Sequence, residues 1–481
     1  MSDRTIRWLG FGLVSTAGVL ALTAMMTPAL ASGEAPADPA TIGLVMGGSG
    51  IPLPEAYIPG YVQAVNDLYV DNPLHPNFPG TSYPDPYANG LFTPEYPLLS
   101  MPMSINYPTV DGFPALTTSM GQGMNIVENA IASNKAAGDA STVFGWSQSS
   151  TISGLVMQQL DPTGTPMPND GLQFVLVGDP SAPNGGLLER FVGLNLPSLG
   201  LSFDGATPVN SFPTDIYSLE YDGFTDFPKY PINFLADLNA VLGTVTIHGE
   251  YLSLSAEQIA NATLLPGSAA LGTPDSLTNY YMIDQTPPLV TLLSDIPVVG
   301  KPLADLLGPD VTVLINLGYG ADNVGYSTPA NVPTPFGLFP DVNLATVLTE
   351  LAGATQQGSA AFVSDLSHLS LPSLLQAVSS AVTAVTAAPT AIPTGTDIVE
   401  GITKAVYSLW TLGYQTGDIV NAAVTSLPAY DVSLFLNNLG NPLDAVGLPI
   451  AADVAGLTMI AGFEFELIER ALSAVIADLG L

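Results

Sequence analysis

The 481-residue chain has no cysteine, only eight lysines and arginines, and only three histidines. The missing cysteines exclude disulfides, a thiolate nucleophile and cysteine-ligated zinc or iron–sulfur sites. Three histidines leave little material for a histidine-rich metal site. Against 42 carboxylates, the few cations give a net charge of −34. Binding to nucleic acid or to anionic lipid headgroups needs Lys and Arg facing phosphate, so the charge argues against both partners. Charged residues make up 10% of the chain, against about 25% in ordinary globular proteins. What the chain does have is an apolar fraction of 47%, with 47 glycines and 43 prolines. That composition supports a packed core and stays short of low-complexity disorder. The length allows more than one domain.

Arg4 and Arg7 precede an uncharged apolar run over residues 8–26, and Ala29-Leu30-Ala31 follows. A positive n-region, an apolar h-region and an Ala-x-Ala site read as a secretory signal peptide over 1–31. A run of this length could also be a retained membrane anchor, but Pro28 and the Ala-x-Ala site favour cleavage near Ser32. Residues 455–481 are apolar, yet Glu464, Glu466, Glu469 and Arg470 suit an amphipathic helix better than a span.

Short apolar runs alternate with helical patterns up to about residue 320. The spacing predicts strands at 41–46, 142–146, 172–177, 216–221 and 311–317. It predicts helices around Tyr61, Val65, Leu68 and Tyr69, and over 119–136, 151–160 and 233–242. Residues 72–107 and 180–212, dense in Pro and Gly, read as long loops. Beyond 340 the pattern is helical throughout, interrupted by a linker at 387–396. The expected fold is α/β, a mostly parallel sheet with helices on both faces, over residues 32–340. A helical C-terminal region follows over 341–481, either a lid or a packing extension.

Gly145-Trp146-Ser147-Gln148-Ser149 lies between a predicted strand and a predicted helix. It has the form G-x-S-x-S, a variant of the nucleophile elbow G-x-S-x-G, whose sharp turn needs small residues beside the serine. Ser147 could otherwise be an ordinary helix N-cap. A serine nucleophile needs a base and an acid to orient it, and in the strand–turn–helix arrangement the chain order is Ser, Asp or Glu, His. His75 precedes Ser147, and His368 lies in the helical region. His248 falls where the order requires. Asp179 follows the first strand after the nucleophile, whereas Asp222 follows the second, where the acid usually stands; Asp226 is an alternate acid. Gly47-Gly48-Ser49-Gly50 fails as a phosphate loop, because Leu53 replaces the third Gly of G-x-G-x-x-G and no Walker lysine follows. It reads better as an oxyanion loop, with Gly48, Ser49 and the Gln148 N–H as donors.

Gly47-Gly48-Ser49-Gly50, the Val62 to Tyr69 stretch, Phe144-Gly145-Trp146-Ser147-Gln148-Ser149, the block from Tyr221 to Pro228, Asp237-Leu238-Asn239-Ala240 and Asn316-Leu317-Gly318-Tyr319-Gly320 occur in that order. Together they resemble the mycobacterial PE-PPE C-terminal domain, a family of serine α/β-hydrolases, over about residues 41–320. The resemblance implies an α/β-hydrolase-like fold and a triad of Ser147, Asp222 or Asp226, and His248. It implies acyl-ester or lipid substrates in a cell-envelope setting, with hydrolysis or acyl transfer onto glycolipids as the reaction. No metal or redox cofactor is called for. Two departures stand out: a signal peptide replaces the PE or PPE module, and Ser49 stands where threonine is commoner. A hydrolase fold without catalysis, serving as an envelope structural or binding protein, is the alternative from another class.

Overall fold

The computed structural model describes residues 41–49, 51, 54–70, 81–82, 116–168, 170–297, 299–368 and 395–479. The signal-peptide reading at 1–31, His75, Gly50, nearly all of the 72–107 loop and most of the 387–396 linker lie outside them.

Five apolar runs form the parallel body of one sheet: β1 (Thr41–Val45), β3 (Ala140–Trp146), β4 (Leu172–Val177), β7 (Thr214–Leu219) and β9 (Thr278–Ile283). The short β2 (Thr81–Ser82) joins one edge in parallel, and β8 (Thr263–Leu264) joins the other antiparallel to β9. The order is β2-β1-β3-β4-β7-β9-β8. A separate hairpin, β5 (Asn195–Leu196) with β6 (Leu201–Ser202), punctuates the Pro/Gly-rich excursion after β4. Strand side chains alternate between faces, and here both faces are covered. Val45, Phe144, Val175, Tyr217 and Ile283 enter one core cluster; Leu44, Val143, Phe174, Ile216 and Met282 enter the other. Continuous apolar runs, rather than alternating ones, are what a doubly covered sheet requires.

The helices that matter here are α1 (Leu116–Ala137), α2 (Gln148–Leu160), α3 (Phe234–Thr246), α4 (Gly300–Asn316), α5 (Leu344–His368), α6 (Gly395–Asn421), α7 (Leu427–Asn437) and α8 (Pro442–Leu479). Tyr61, Val65, Leu68 and Tyr69 do share a buried helical face, the second half of it in a π-turn over Asn66–Val70. The expected strand at 311–317 is a correction: residues 311–316 form the last turns of α4 and Leu317 caps it. A short β-branched apolar run cannot by itself distinguish strand from buried helix. Here the helix packs between α5 and the helix Pro288–Ser294. The strand that takes that place in the sheet is β9, whose TNYYMI sequence carried no assignment. The strand expected over 216–221 ends at Leu219, and Tyr221 turns into a left-handed conformation at φ 66°.

The described C-terminal region is helical, as its composition predicts. α8 lies against α6, α7 and α3. A Cβ at Gly462 would sit 2.0 Å from Val241 on α3, so the contact depends on a bare backbone at that point. Ala451, Ala455 and Met459 of α8 share a core cluster with Leu188, Phe191, Phe227 and Val241. By length and apolar content, Thr403–Asn437 and Pro442–Ala477 reach the size of membrane spans, with 22% and 33% of their most apolar windows buried in the protein.

Candidate active site

Ser147 leaves β3 at φ 59°, ψ −118°, a conformation that L-residues seldom adopt and that costs energy wherever it occurs. The neighbours make room for it. A Cβ on Gly145 would meet the Ser149 carbonyl at 2.7 Å. The Ser149 hydroxyl accepts from the Trp146 N–H at 2.8 Å and donates to the Trp146 carbonyl at 3.1 Å. Ser149 therefore fills the place of the usual second glycine and ties the elbow together. The Ser147 N–H donates to the Val177 carbonyl of the adjoining strand. Although Ser147 occupies the N-cap position of α2, its hydroxyl makes no cap hydrogen bond.

That hydroxyl is turned instead to His248, whose Nε2 lies 2.8 Å from Ser147 Oγ. His248 follows the end of α3, and its Nδ1 lies 2.7 Å from Asp222 Oδ2. The His248 side chain is 12% exposed and Asp222 is fully buried. With Asp222 a carboxylate, the imidazole proton sits on Nδ1, and Nε2 accepts the serine proton. Asp222 Oδ1 accepts from the Phe224 N–H at 3.0 Å, and Oδ2 also accepts from the Tyr251 hydroxyl at 2.9 Å. The turn that carries Asp222 packs tightly on α3. A Cβ on Gly223 would be 2.2 Å from the Ala240 carbonyl, and one on Gly243 would be 1.9 Å from the Tyr221 carbonyl.

Asp226 does not contact His248. Its Oδ2 accepts from the N–H of the left-handed Tyr221 at 3.0 Å, and its Oδ1 has no hydrogen-bond partner among the described residues. Burial raises its carboxyl well above the usual range; the Tyr221 N–H opposes this, Glu220 adds to it, and Arg190 opposes it. Arg190 is itself fully buried, donating to the carbonyls of Phe227, Thr334 and Asn184 and to the Ser327 hydroxyl. Asp226 is thus a brace of the turn that carries Asp222. Asp179 stands apart too, accepting from the Ser181 N–H and the Thr207 hydroxyl, with burial pushing its carboxyl up to about 6. His368 lies on α5, and its side chain is outside the described residues.

The glycine-rich loop reaches the elbow. Ser49 Oγ donates to Gln148 Oε1 at 3.0 Å, and Gln148 Nε2 donates to the Ser119 hydroxyl of α1. A Cβ on Gly47 would fall 2.1 Å from the Ile51 carbonyl, and one on Gly48 would press the Trp146 ring at 3.3 Å. Gly48, Ser49 and Gln148 therefore meet at the N-terminal end of α2, where a first helical turn leaves backbone N–H groups unpaired within the helix. Aromatic rings enclose the imidazole: Phe224 at 4.7 Å, Tyr251 at 6.1 Å and Trp146 at 6.4 Å between centroids.

Tyr251, Phe224 and Phe463, the α8 residue that stacks on Phe224, stand around the site without having been expected there. The first two lie three and two residues beyond His248 and Asp222, so proximity in the chain was an available signal. Phe463 carries no such signal. A hydroxyl bonded to an imidazole that is anchored by a buried carboxylate is equipped to give up its proton and attack a carbonyl.

Comparison with known proteins adds to this geometry. The family model described as the PE-PPE domain matches residues 84–320. The chain is 40% identical over 463 residues to the uncharacterized PPE family protein PPE28 of Mycobacterium tuberculosis, covering 91% of this chain and 67% of that protein. It is 34% identical over 439 residues to the esterase PE16 of the same organism, covering 87% of this chain and 76% of PE16. A shorter similarity, 34% over 134 residues, links 26% of this chain to 36% of the diacyltrehalose acyltransferase Chp2 of M. tuberculosis. No solved structure matches.

Proposed function

This chain belongs to the PE-PPE domain family, and from that premise we propose that it is an exported serine hydrolase cleaving carboxylic esters of apolar acyl chains. The observation that carries the reading is the unbroken hydrogen-bonded line from Ser147 Oγ through His248 to Asp222, at 2.8 and 2.7 Å. Ser147 attacks the ester carbonyl while His248 Nε2 takes its proton. The negative charge on the carbonyl oxygen is met by backbone N–H groups of the Gly48-Ser49 loop and of Gln148, preorganised at the start of α2. His248 then protonates the leaving alcohol. Water, activated by the same imidazole, cleaves the acyl-enzyme and restores Ser147. Asp222 holds the ring in the tautomer this needs throughout. The similarity to a protein named an esterase, over most of both chains, supports the ester class.

Acyl transfer is the second reading, and the similarity to a protein named an acyltransferase favours it. A sugar hydroxyl would take the place of water on the same acyl-enzyme, so one set of residues serves both outcomes. The helix α8 of the C-terminal region extends the acyl site, because it places Phe463 on Phe224, the ring that packs on His248. Export rests on the n-region, apolar run and Ala-x-Ala site of residues 1–31.

The test is turnover of p-nitrophenyl acyl esters by wild type and by Ser147→Ala. Loss of the nucleophile should lower kcat by several orders of magnitude, up to about 10⁶-fold. Retention of more than a few per cent of the rate in a folded Ser147→Ala protein would defeat the proposal.

A further inference from the structure

Tyr251 makes contacts with the acid that neither the sequence motif nor the triad accounts for. Its hydroxyl donates to Asp222 Oδ2 at 2.9 Å, the same oxygen that faces His248 Nδ1. The phenol oxygen also accepts from the N–H of Leu219, the last residue of β7, at 3.0 Å. The Leu219 N–H can only donate and a carboxylate oxygen can only accept, so the hydroxyl proton points at Asp222. The ring is fully buried, and burial, followed by the Asp222 charge, holds the phenol well above its ordinary range, so it stays a donor across the working pH.

The tyrosine is itself clamped. Its backbone carbonyl accepts from the Tyr69 hydroxyl at 2.6 Å, across 182 residues of chain. Gly178, at φ 57°, has no side chain where one would meet the Tyr251 ring at 2.8 Å and the His248 ring at 3.1 Å. The titratable groups around the unit are Asp226 from the turn that carries Asp222, Tyr69 from the π-turn and His248 itself.

We propose that Tyr251 is a positioning residue for the triad. Its hydroxyl, held by the Leu219 N–H, fixes Asp222 Oδ2 against His248 Nδ1 and withdraws part of the charge that the carboxylate offers the imidazole. Asp222 then has three donors, the Phe224 N–H on Oδ1 and Tyr251 with His248 on Oδ2. That set locks the carboxylate plane, whereas two donors would let Oδ2 swing. Tyr69 acts one step further back, its hydroxyl holding the Tyr251 backbone carbonyl within the same core cluster. The inference rests on the serine-hydrolase reading of Ser147, His248 and Asp222.

Two substitutions separate a positioning role from a merely structural one. Tyr251→Phe removes the donor and keeps the ring. A lost hydrogen bond to a charged group should lower kcat about tenfold or more, with KM little changed. The freed carboxylate charge should stabilise the imidazolium and move the acid limb of kcat/KM to higher pH. Replacing Tyr251 with 3-fluorotyrosine, a stronger donor of almost the same shape, should move that limb to lower pH. This variant also carries the test if the Leu219 N–H left unpaired in Tyr251→Phe prevents folding. Opposite displacements of the limb, or the downward one alone where Tyr251→Phe does not fold, support the proposal. An unmoved limb in the fluorotyrosine protein, or wild-type kcat and limb in folded Tyr251→Phe, overturns it. Ser147→Ala run beside them keeps the two ideas apart. If it stays active, the hydrolase reading fails; if it is dead while the Tyr251 variants match wild type, only this inference fails.

Discussion

Phe463 stacks on Phe224, with ring centroids 6.3 Å apart and planes 22° apart, and Phe224 in turn packs on the imidazole of His248. A helix that begins at residue 442 thus reaches the aromatic ring that packs on His248, the residue hydrogen-bonded to Ser147 and Asp222.

Phe463→Ala should therefore change acyl-chain preference rather than chemistry. Loss of part of an aromatic contact is worth about 1 kcal/mol, or roughly fivefold. We expect kcat/KM for dodecanoyl and longer esters to fall by about that factor, with acetyl and butyryl esters unaffected. An unchanged chain-length profile would remove α8 from the acyl site.

Asp222 and Asp226 differ by four positions and should differ sharply in effect. Asp222→Asn keeps the shape but permits the wrong imidazole tautomer, at a cost of roughly 10⁴-fold in kcat. Asp226→Asn can still accept the Tyr221 N–H at its amide oxygen and should keep activity within about tenfold of wild type. Steady-state kinetics on both folded variants check this; a large loss confined to Asp226→Asn would reverse the roles.

These two carboxylates mark how far the sequence could be read. Ser147 was legible because a sharp strand-to-helix turn demands small neighbours, and those neighbours are adjacent in the chain. His248 was legible by order. Strand counting preferred Asp222 to Asp226, but the path of the turn was out of its reach, since that depends on Tyr221 in a left-handed conformation and on Gly223 against Ala240. The sheet shows the same limit. Runs such as 172–177 declared themselves, but 311–317, short, apolar and β-branched, read as a strand, and β9 carried no assignment. The helical state of 311–316 goes with packing against α5, which begins 28 residues after α4 ends. Phe463 was invisible for the same reason, being 239 residues from Phe224 in sequence.

Gly178→Ala should damage the site without touching a reacting atom. The residue sits at φ 57°, where a side chain costs about 1 kcal/mol in backbone strain. The added methyl would also press Tyr251 and His248. We expect a lower Tm and a kcat reduced about tenfold. A variant with wild-type kinetics would mean that this face of the imidazole is loosely held.

Asp237 gives a stability prediction with a definite sign. It is fully buried on α3, and neither carboxylate oxygen has a hydrogen-bond partner among the described residues. Burial pushes its carboxyl up to about 9. The folded state thus keeps a proton that the unfolded chain releases near pH 4. Stability from this group is complete below pH 4 and declines as pH rises towards 9, because the unfolded state binds fewer protons over that window. Asp237→Asn, neutral at every pH, should flatten the fall in Tm between pH 5 and pH 8. An equal slope in both proteins would show that Asp237 is ionised in the fold.

The central claim is that Ser147 is an activated nucleophile, and reaction with a fluorophosphonate probe measures that property alone. An ordinary helix-capping serine does not react with the probe, whereas a serine deprotonated by a carboxylate-anchored imidazole does. The account predicts stoichiometric labelling of the purified protein, mapped to Ser147 by peptide mass spectrometry and lost in both Ser147→Ala and His248→Ala. A folded wild-type protein that stays unlabelled, or carries its label on another serine, would contradict it.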